Sequence, residues 1–292
     1  MTKLAVASCA KLQQVSPQPG WSRIRAESPD GLLLLGDTVY LDNDDHTEPA
    51  ALAAELGALY AAQFADPHFA GLLEDLRARG APVLAIYDDH DFLGNNCCGA
   101  EFSPALRDAA REELRRAFAV TRPGPELYTR QRIGVVDVIL LDVRYHRRSP
   151  LTSRDDPNAV LGEAQWDWLV RELEETDAPY IVVASSTTFH AFAGESWEGF
   201  PAAFSRLRAL LRGRRGALVV SGDVHRNALY DDSGVIEVVT SGVAGRGAVF
   251  GVVRENYGIL TFDDAGLRIS LRSLKVHGRF DLTVPLTTWA LP

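Results

Sequence analysis

The sequence predicts an α/β layered protein with a mixed sheet or two packed sheets. Three observations carry that prediction. Short apolar runs rich in Val, Ile and Leu alternate with amphipathic stretches. Several of those runs end in Gly, Ser or Asp, where a buried strand gives way to a polar loop. Hairpin-like runs follow near the end of the chain.

The first two strands are predicted at Leu4 to Ser8 and Leu32 to Leu35. A helix over Ala50 to Phe64 is Ala- and Leu-rich and stands behind Pro49, a good first-turn residue. The next, Phe69 to Arg79, follows Pro67 and stops at Gly80-Ala81-Pro82. Arg77 and Arg79 fall in its last turn, where cations suit the helix dipole. A strand at Val83 to Tyr87 precedes Ser103-Pro104, which opens a helix over Ala105 to Val120. Strands at Val135 to Leu141, Tyr180 to Ala184, Ala217 to Val220 and Val235 to Thr240 are interleaved with helices at Glu163 to Glu175 and Ala202 to Arg212. Gly258 to Phe262 and Leu267 to Leu271 form a hairpin across Asp263-Asp264-Ala265-Gly266.

A chain of 292 residues allows one large domain or two ordinary ones. No linker, repeat or composition shift marks a boundary, which predicts a single domain over residues 1–292. With 46% hydrophobic and 24% charged residues, disorder, collagen and coiled coil are excluded for the whole chain. The 39 acids against 30 bases give a formal charge of −9. No basic excess exists to coat nucleic acid, and an acidic surface repels anionic membranes. The first residues show neither a signal-peptide core nor twin arginines, and three cysteines suit a reducing compartment. The expectation is a cytoplasmic protein, with Cys97 and Cys98 as free thiols near a turn.

Four polar clusters follow directly on predicted strands, where open α/β sheets place ligand sites. The first is Gly36-Asp37-Thr38-Val39-Tyr40. Asp37 is a hard oxygen ligand at a strand end; taken alone it reads as an N-cap or turn aspartate. The second is Tyr87-Asp88-Asp89-His90-Asp91, with Asn95 and Asn96 behind it. Carboxylates packed this closely repel one another unless a cation or hydrogen bonds compensate. The third is Asp142-Val143-Arg144-Tyr145-His146-Arg147-Arg148. Arg144 either forks onto a phosphate or forms a structural pair with Asp142. The fourth is Ser221-Gly222-Asp223-Val224-His225, whose Asp and His share one side of a continuing strand. Together, Asp37, Asp89, Asp223 and His225 can surround one or two cations, and a two-metal centre would clamp a phosphoryl group.

At these residues the chain resembles the calcineurin-like metallophosphoesterase superfamily, in its alkaline-phosphatase-D-like (PhoD-like) branch. The matching pieces stand in family order. They are Ala7-Ser8-Cys9, Gly36-Asp37-Thr38-Val39-Tyr40, Tyr87-Asp88-Asp89-His90-Asp91 with Asn95, and Leu141-Asp142-Val143-Arg144. Leu161 to Leu169, Glu195 to Pro201 and Ser221-Gly222-Asp223-Val224-His225 complete the series. The resemblance implies a four-layer αββα sandwich of two packed mixed sheets flanked by helices. It also implies hydrolysis of phosphate monoesters or diesters at a multinuclear metal centre.

By the same resemblance, Asp37 is a bridging metal ligand, and Asp89, Asp223 and His225 are further ligands. Cys9 and Tyr40 match ligands of a ferric ion held beside calcium, with manganese or zinc as substitutes. Asn95 matches a family amide at the metals. His90 takes the catalytic position and Asp91 that of the acid orienting it. Arg144 is expected on a phosphate oxygen, and His190 and Trp197 at the substrate mouth. The implied partner is a small phosphorylated substrate. Tyr87 replaces a usual Trp, Asn96 a frequent Asp, and Ala-Ser-Cys the Asp-x-His of most of the superfamily. Secreted members carry a signal and often an added β domain; neither is seen in this sequence, so their export role is not carried over.

The rival from another class is a catalytically idle phosphate-ligand or metal-binding module on the same fold. The retained His90 and the complete acid set argue against it. A covalent aspartyl-phosphate mechanism needs a second Asp two residues after Asp37, and Val39 stands there. Gly242 to Gly247 lacks dinucleotide spacing and reads as a loop near the site, and no G-x-S-x-G elbow occurs. Substrate choice is expected in the loops Asn95 to Glu101, Tyr145 to Pro157 and His190 to Pro201.

Overall fold

A computed structural model describes residues 1–41, 45–120, 126–190, 195–232, 234–246, 253–273, 278–285 and 289. The first half of the chain gives β1 (Thr2–Ala7), α1 (Gly20–Ala26), β2 (Gly31–Leu35), α2 (Pro49–Phe64), α3 (Pro67–Ala78), β3 (Val83–Ile86), α4 (Pro104–Ala117), β4 (Thr129–Ile133) and β5 (Val136–Leu140). The second half gives α5 (Gly162–Glu175), β6 (Tyr180–Ser185), α6 (Pro201–Leu211), β7 (Ala217–Ser221), β8 (Ala228–Asp232), β9 (Val235–Val239), β10 (Gly245–Arg246), β11 (Val253–Arg254), β12 (Asn256–Phe262), β13 (Gly266–Ser273) and β14 (Gly278–Pro285).

Two six-stranded mixed sheets result, in the orders β14-β13-β12-β1-β2-β3 and β4-β5-β6-β7-β9-β8. Strands β1, β2 and β3 run parallel, as do β5, β6, β7 and β9. Side chains alternate across each strand. Leu4, Val6, Leu33 and Leu35 therefore meet Val138, Leu140, Val182 and Val220 between the sheets. Ala5, Ala7, Leu32 and Leu34 face outward onto Trp21 and Ile24 of α1 and Phe69, Leu72 and Leu76 of α3. On the far side, Ile139, Ile181, Val183 and Val219 pack under Trp166 and Leu169 of α5 and Phe204 and Leu207 of α6. The layers are thus helix, sheet, sheet, helix. Burial on both faces explains why the central strands read as continuous apolar runs. Each such Leu or Val contributes about 1.5–3 kcal/mol when fully buried.

The predicted central strands are all present. Helix α4 is capped by Ser103, whose hydroxyl accepts from Leu106 N at 3.3 Å, and it ends three residues earlier than expected. The Asp263 carboxylate closes the predicted hairpin by accepting from Ala265 N and Gly266 N. Four longer elements were not expected: α1, β4, β8 and β14. The three strands are sheet edges with polar or half-exposed faces, so they lack the apolar run that marks a central strand. Helix α1 has only seven residues. Among the described residues, no helix is long and apolar enough to cross a membrane.

Candidate metal centre

The carboxyl ends of β1, β2 and β3 in one sheet and β7 in the other converge. Backbone bonds tie the loops together. Cys9 N donates to Gly36 O at 3.3 Å, Ala10 N to Asp37 O at 2.8 Å and Leu41 N to His90 O at 3.1 Å. The approach is close enough that a Cβ on Gly36 would stand 2.4 Å from Asp88 Cβ, and Gly36 itself has φ +80°.

Two groups of ligand atoms form here, each gathered within 4.8 Å: Cys9, Asp37 and His225, and then Asp37, Asp89 and His90. Asp37 belongs to both. Tyr40 joins the first group, its hydroxyl donating to Asp37 Oδ2 at 3.1 Å and lying 3.2 Å from His225 Nε2. Cys9 Sγ lies 3.5 Å from Asp37 Oδ2 and accepts from Ser241 Oγ at 3.1 Å. Cys9, Asp37, Asp223 and His225 all hold left-handed backbone, with φ of 59°, 52°, 69° and 50°. Such conformations cost about 1–3 kcal/mol each and concentrate at functional sites.

The residues present fit cations. Among the described residues Asp37 Oδ1 is buried without a hydrogen-bond partner, an expensive state for a carboxylate oxygen unless something positive faces it. Burial, then Cys9 and three neighbouring carboxylates, push the Asp37 carboxyl well above its usual range. Burial and Asp37 do the same to the Tyr40 phenol. Burial raises the Cys9 thiol to about 12, against the pull of Ser241 and Ser8. Thiolate, phenolate, imidazole and carboxylate together make a donor set for transition-metal ions and hard cations.

Asp89 is held differently. Burial alone would raise its carboxyl, but Arg144, His90 and two backbone N–H groups outweigh that and lower it. The N–H groups are those of His90 at 2.9 Å and Asn96 at 2.6 Å. His90 is partly exposed, and its ring centroid lies 4.5 Å from that of Tyr40. Asp223 lies beside the cluster with its carboxyl outside both groups. Burial, then Asp88 and Asp89, raise it to about 8. Asn95 is exposed.

Several expected roles are corrected by geometry. Asp91 accepts from Asp88 N at 2.6 Å and Thr38 N at 2.9 Å, so it clamps two loops instead of orienting the His90 ring. Arg144 is turned inward, 1% exposed, with Nε 2.5 Å from Asp88 Oδ1 and Nη1 donating to Cys97 O. Its guanidinium does not pair with Asp142, and its Nη2 stands 3.7 Å from Asp89 Oδ2. The Asp142 carboxylate accepts from the backbone N–H groups of Arg144 and Tyr145. Trp197 is buried against Trp166 and Phe189 with Nε1 on Ser185, a packing residue and not a mouth residue. His190 is held by the buried Glu237, its Nδ1 2.8 Å from Oε2. Gly242 to Ala244 pair with the Ser8–Cys9 turn. Gly247 and residues 191–194 of the expected substrate loops lie outside the described residues.

Sequence reasoning missed Asp88. Its Oδ1 accepts from Arg144, from Ser186 Oγ at 2.9 Å and from Thr187 Oγ1 at 3.4 Å. Asp88 stands two residues past the end of β3, outside the strand whose periodicity would have set its direction. Arg147 was also missed; it is buried, reaching Thr187 Oγ1 and Glu195 O.

A family model described as PhoD-like phosphatase matches residues 4–249. Among solved structures, one titled as the structure of PhoD superposes with TM-score 0.73 at 18% identity. It covers 97% of this chain and 68% of that one. GAP50, described as the anchor in the inner membrane complex of Plasmodium, superposes with TM-score 0.55 at 13% identity, over 98% of this chain and 89% of its own. At those identities the likeness concerns the fold alone. No curated protein matches the chain at a significant level.

Proposed function

We propose, from the premise that the chain belongs to the PhoD-like phosphatase family, that it hydrolyses phosphate monoesters or diesters at a two-cation centre built on Asp37. Family membership supports a phosphatase-type hydrolase that uses metal ions. The observation that carries the finer reading is the pair of ligand groups sharing Asp37, with its Oδ1 unpartnered. Cys9, Tyr40 and His225 suit a ferric ion, and the Asp37–Asp89 oxygens suit calcium, with Asp223 and Asn95 as further candidate ligands. Bound there, cations would supply Lewis acidity and an activated water near neutral pH.

The chain's own groups do the rest. Asp37 holds both halves of the centre in register. The Asp91 carboxylate fixes the Thr38 and Asp88 backbones, so the two ligand-bearing loops keep their spacing. His90, at the partly exposed rim, is placed to donate a hydrogen bond to the leaving oxygen. The test is turnover of p-nitrophenyl phosphate and bis-p-nitrophenyl phosphate with calcium, manganese and iron. His90→Ala is expected to slow turnover about a hundredfold or more. Unchanged rates on every hydrolysed ester would remove His90 from the chemistry.

A further inference from the structure

A phosphomonoester brings two negative charges to a site already crowded with carboxylates. The arginine expected to meet it does not. Arg144 is 1% exposed and turned inward between Asp88 and Asp89, and Arg147 is buried against Thr187 and Glu195. The structure offers a different cation at the rim. Lys11 follows the Cys9–Ala10 turn, and its ammonium lies 4.8 Å from the centroid of the Tyr40 ring. That same ring carries the hydroxyl bonded to Asp37 and faces His90. Lys11 is partly exposed and takes part in no ion pair among the described residues.

We propose that Lys11 binds the phosphate of the ester through its ammonium group and so favours doubly charged monoesters over singly charged diesters. The inference rests on the phosphoesterase reading of this site. A lysine serves here as a compact point charge on a flexible stem. Its contact with the Tyr40 ring is weaker than a charge-assisted bond to phosphate, so the ammonium can leave the ring for the ligand. The contact with Tyr40 keeps it poised over the cluster in the meantime.

The experiment compares wild type, Lys11→Met and Lys11→Arg on both nitrophenyl esters, with metal content measured on the same preparations. Lys11→Met should raise KM for the monoester and the inhibition constant of inorganic phosphate about tenfold or more. KM for the diester should move by less than about threefold, kcat and metal content should hold, and Lys11→Arg should recover most of the loss. Unchanged monoester KM and phosphate inhibition would overturn the proposal. So would an equal loss on both esters, which would make Lys11 a support for Tyr40. If wild type hydrolyses neither ester with any metal, the phosphoesterase reading itself fails. Calorimetric binding of inorganic phosphate to wild type and Lys11→Met then reads Lys11 alone, and equal affinity overturns its role.

Discussion

The cluster around Asp37 and the network around Asp88 lie side by side at the same strand ends and use the same residue types, yet they handle charge in opposite ways. Asp88 is neutralised from within the protein. Its Oδ1 takes Arg144, Ser186 and Thr187 at once, while its Oδ2, like Asp37 Oδ1, is buried without a hydrogen-bond partner among the described residues. Asp37 has only a thiol and a phenol beside Oδ2, and no cationic side chain pairs with it among the described residues. Between them stands Asp89, bonded to backbone N–H groups and 3.7 Å from Arg144 Nη2. The difference teaches that an aspartate-rich strand end is not one kind of site. In the Asp88 half the protein supplies its own cation, Arg144. The half left with uncompensated carboxylate, thiol and phenol is where cations would complete the electrostatics.

Substituting each centre tests this division. Asp37→Asn should cost the most activity, about ten-thousandfold, because both ligand groups lose their shared member. Retained turnover above about a tenth of wild type would erase the distinction between the halves. The same change at Asp88 should act on stability. Asp88→Asn leaves the buried Arg144 guanidinium without its nearer ionic partner, with Asp89 at 3.7 Å remaining, and should destabilise the protein by about 3 kcal/mol in urea unfolding. In chelated protein, Asp37→Asn should leave stability unchanged or raise it, since it relieves crowding among carboxylates. Equal destabilisation by both would contradict the contrast.

A milder effect comes from pH. The Asp37 carboxyl is raised by burial and its neighbours, Asp91 by burial to about 7 and Asp223 by burial to about 8. A carboxyl in the unfolded chain titrates near ~4. Between those limits the folded, chelated protein binds more protons than the unfolded one, so its stability falls as pH rises from about 4 to about 8. Thermal unfolding of chelated protein at pH 5 and pH 8 measures this. A melting temperature higher at pH 8 would mean the carboxylates are compensated by the protein itself.

Much of the cluster was legible in the sequence because its candidate residues stand directly after apolar strands. Cys9, Asp37, Tyr40, Asp89, His90 and His225 come together as their positions implied. The direction of neighbouring side chains was harder to read. Asp91 and Arg144 carry plausible chemistry by type, but each turns inward to hydrogen-bond a loop or balance a buried charge. The left-handed turns at Asp37 and Asp223 are likewise encoded by no apolar periodicity. Trp197 belongs to a block expected at the substrate mouth, but its ring packs under α5 and α6. The edge strands β4, β8 and β14 were silent for a related reason: one partner and a polar face leave no apolar signature.

The central claim is that Asp37 holds two cations needed for ester hydrolysis. Metal analysis of protein purified without chelator, run beside its turnover of the nitrophenyl esters before and after exhaustive chelation, tests it most directly. The account predicts bound metal in wild type, its loss in Asp37→Asn, and activity that disappears on chelation and returns with added metal. Full activity in metal-free protein would contradict it.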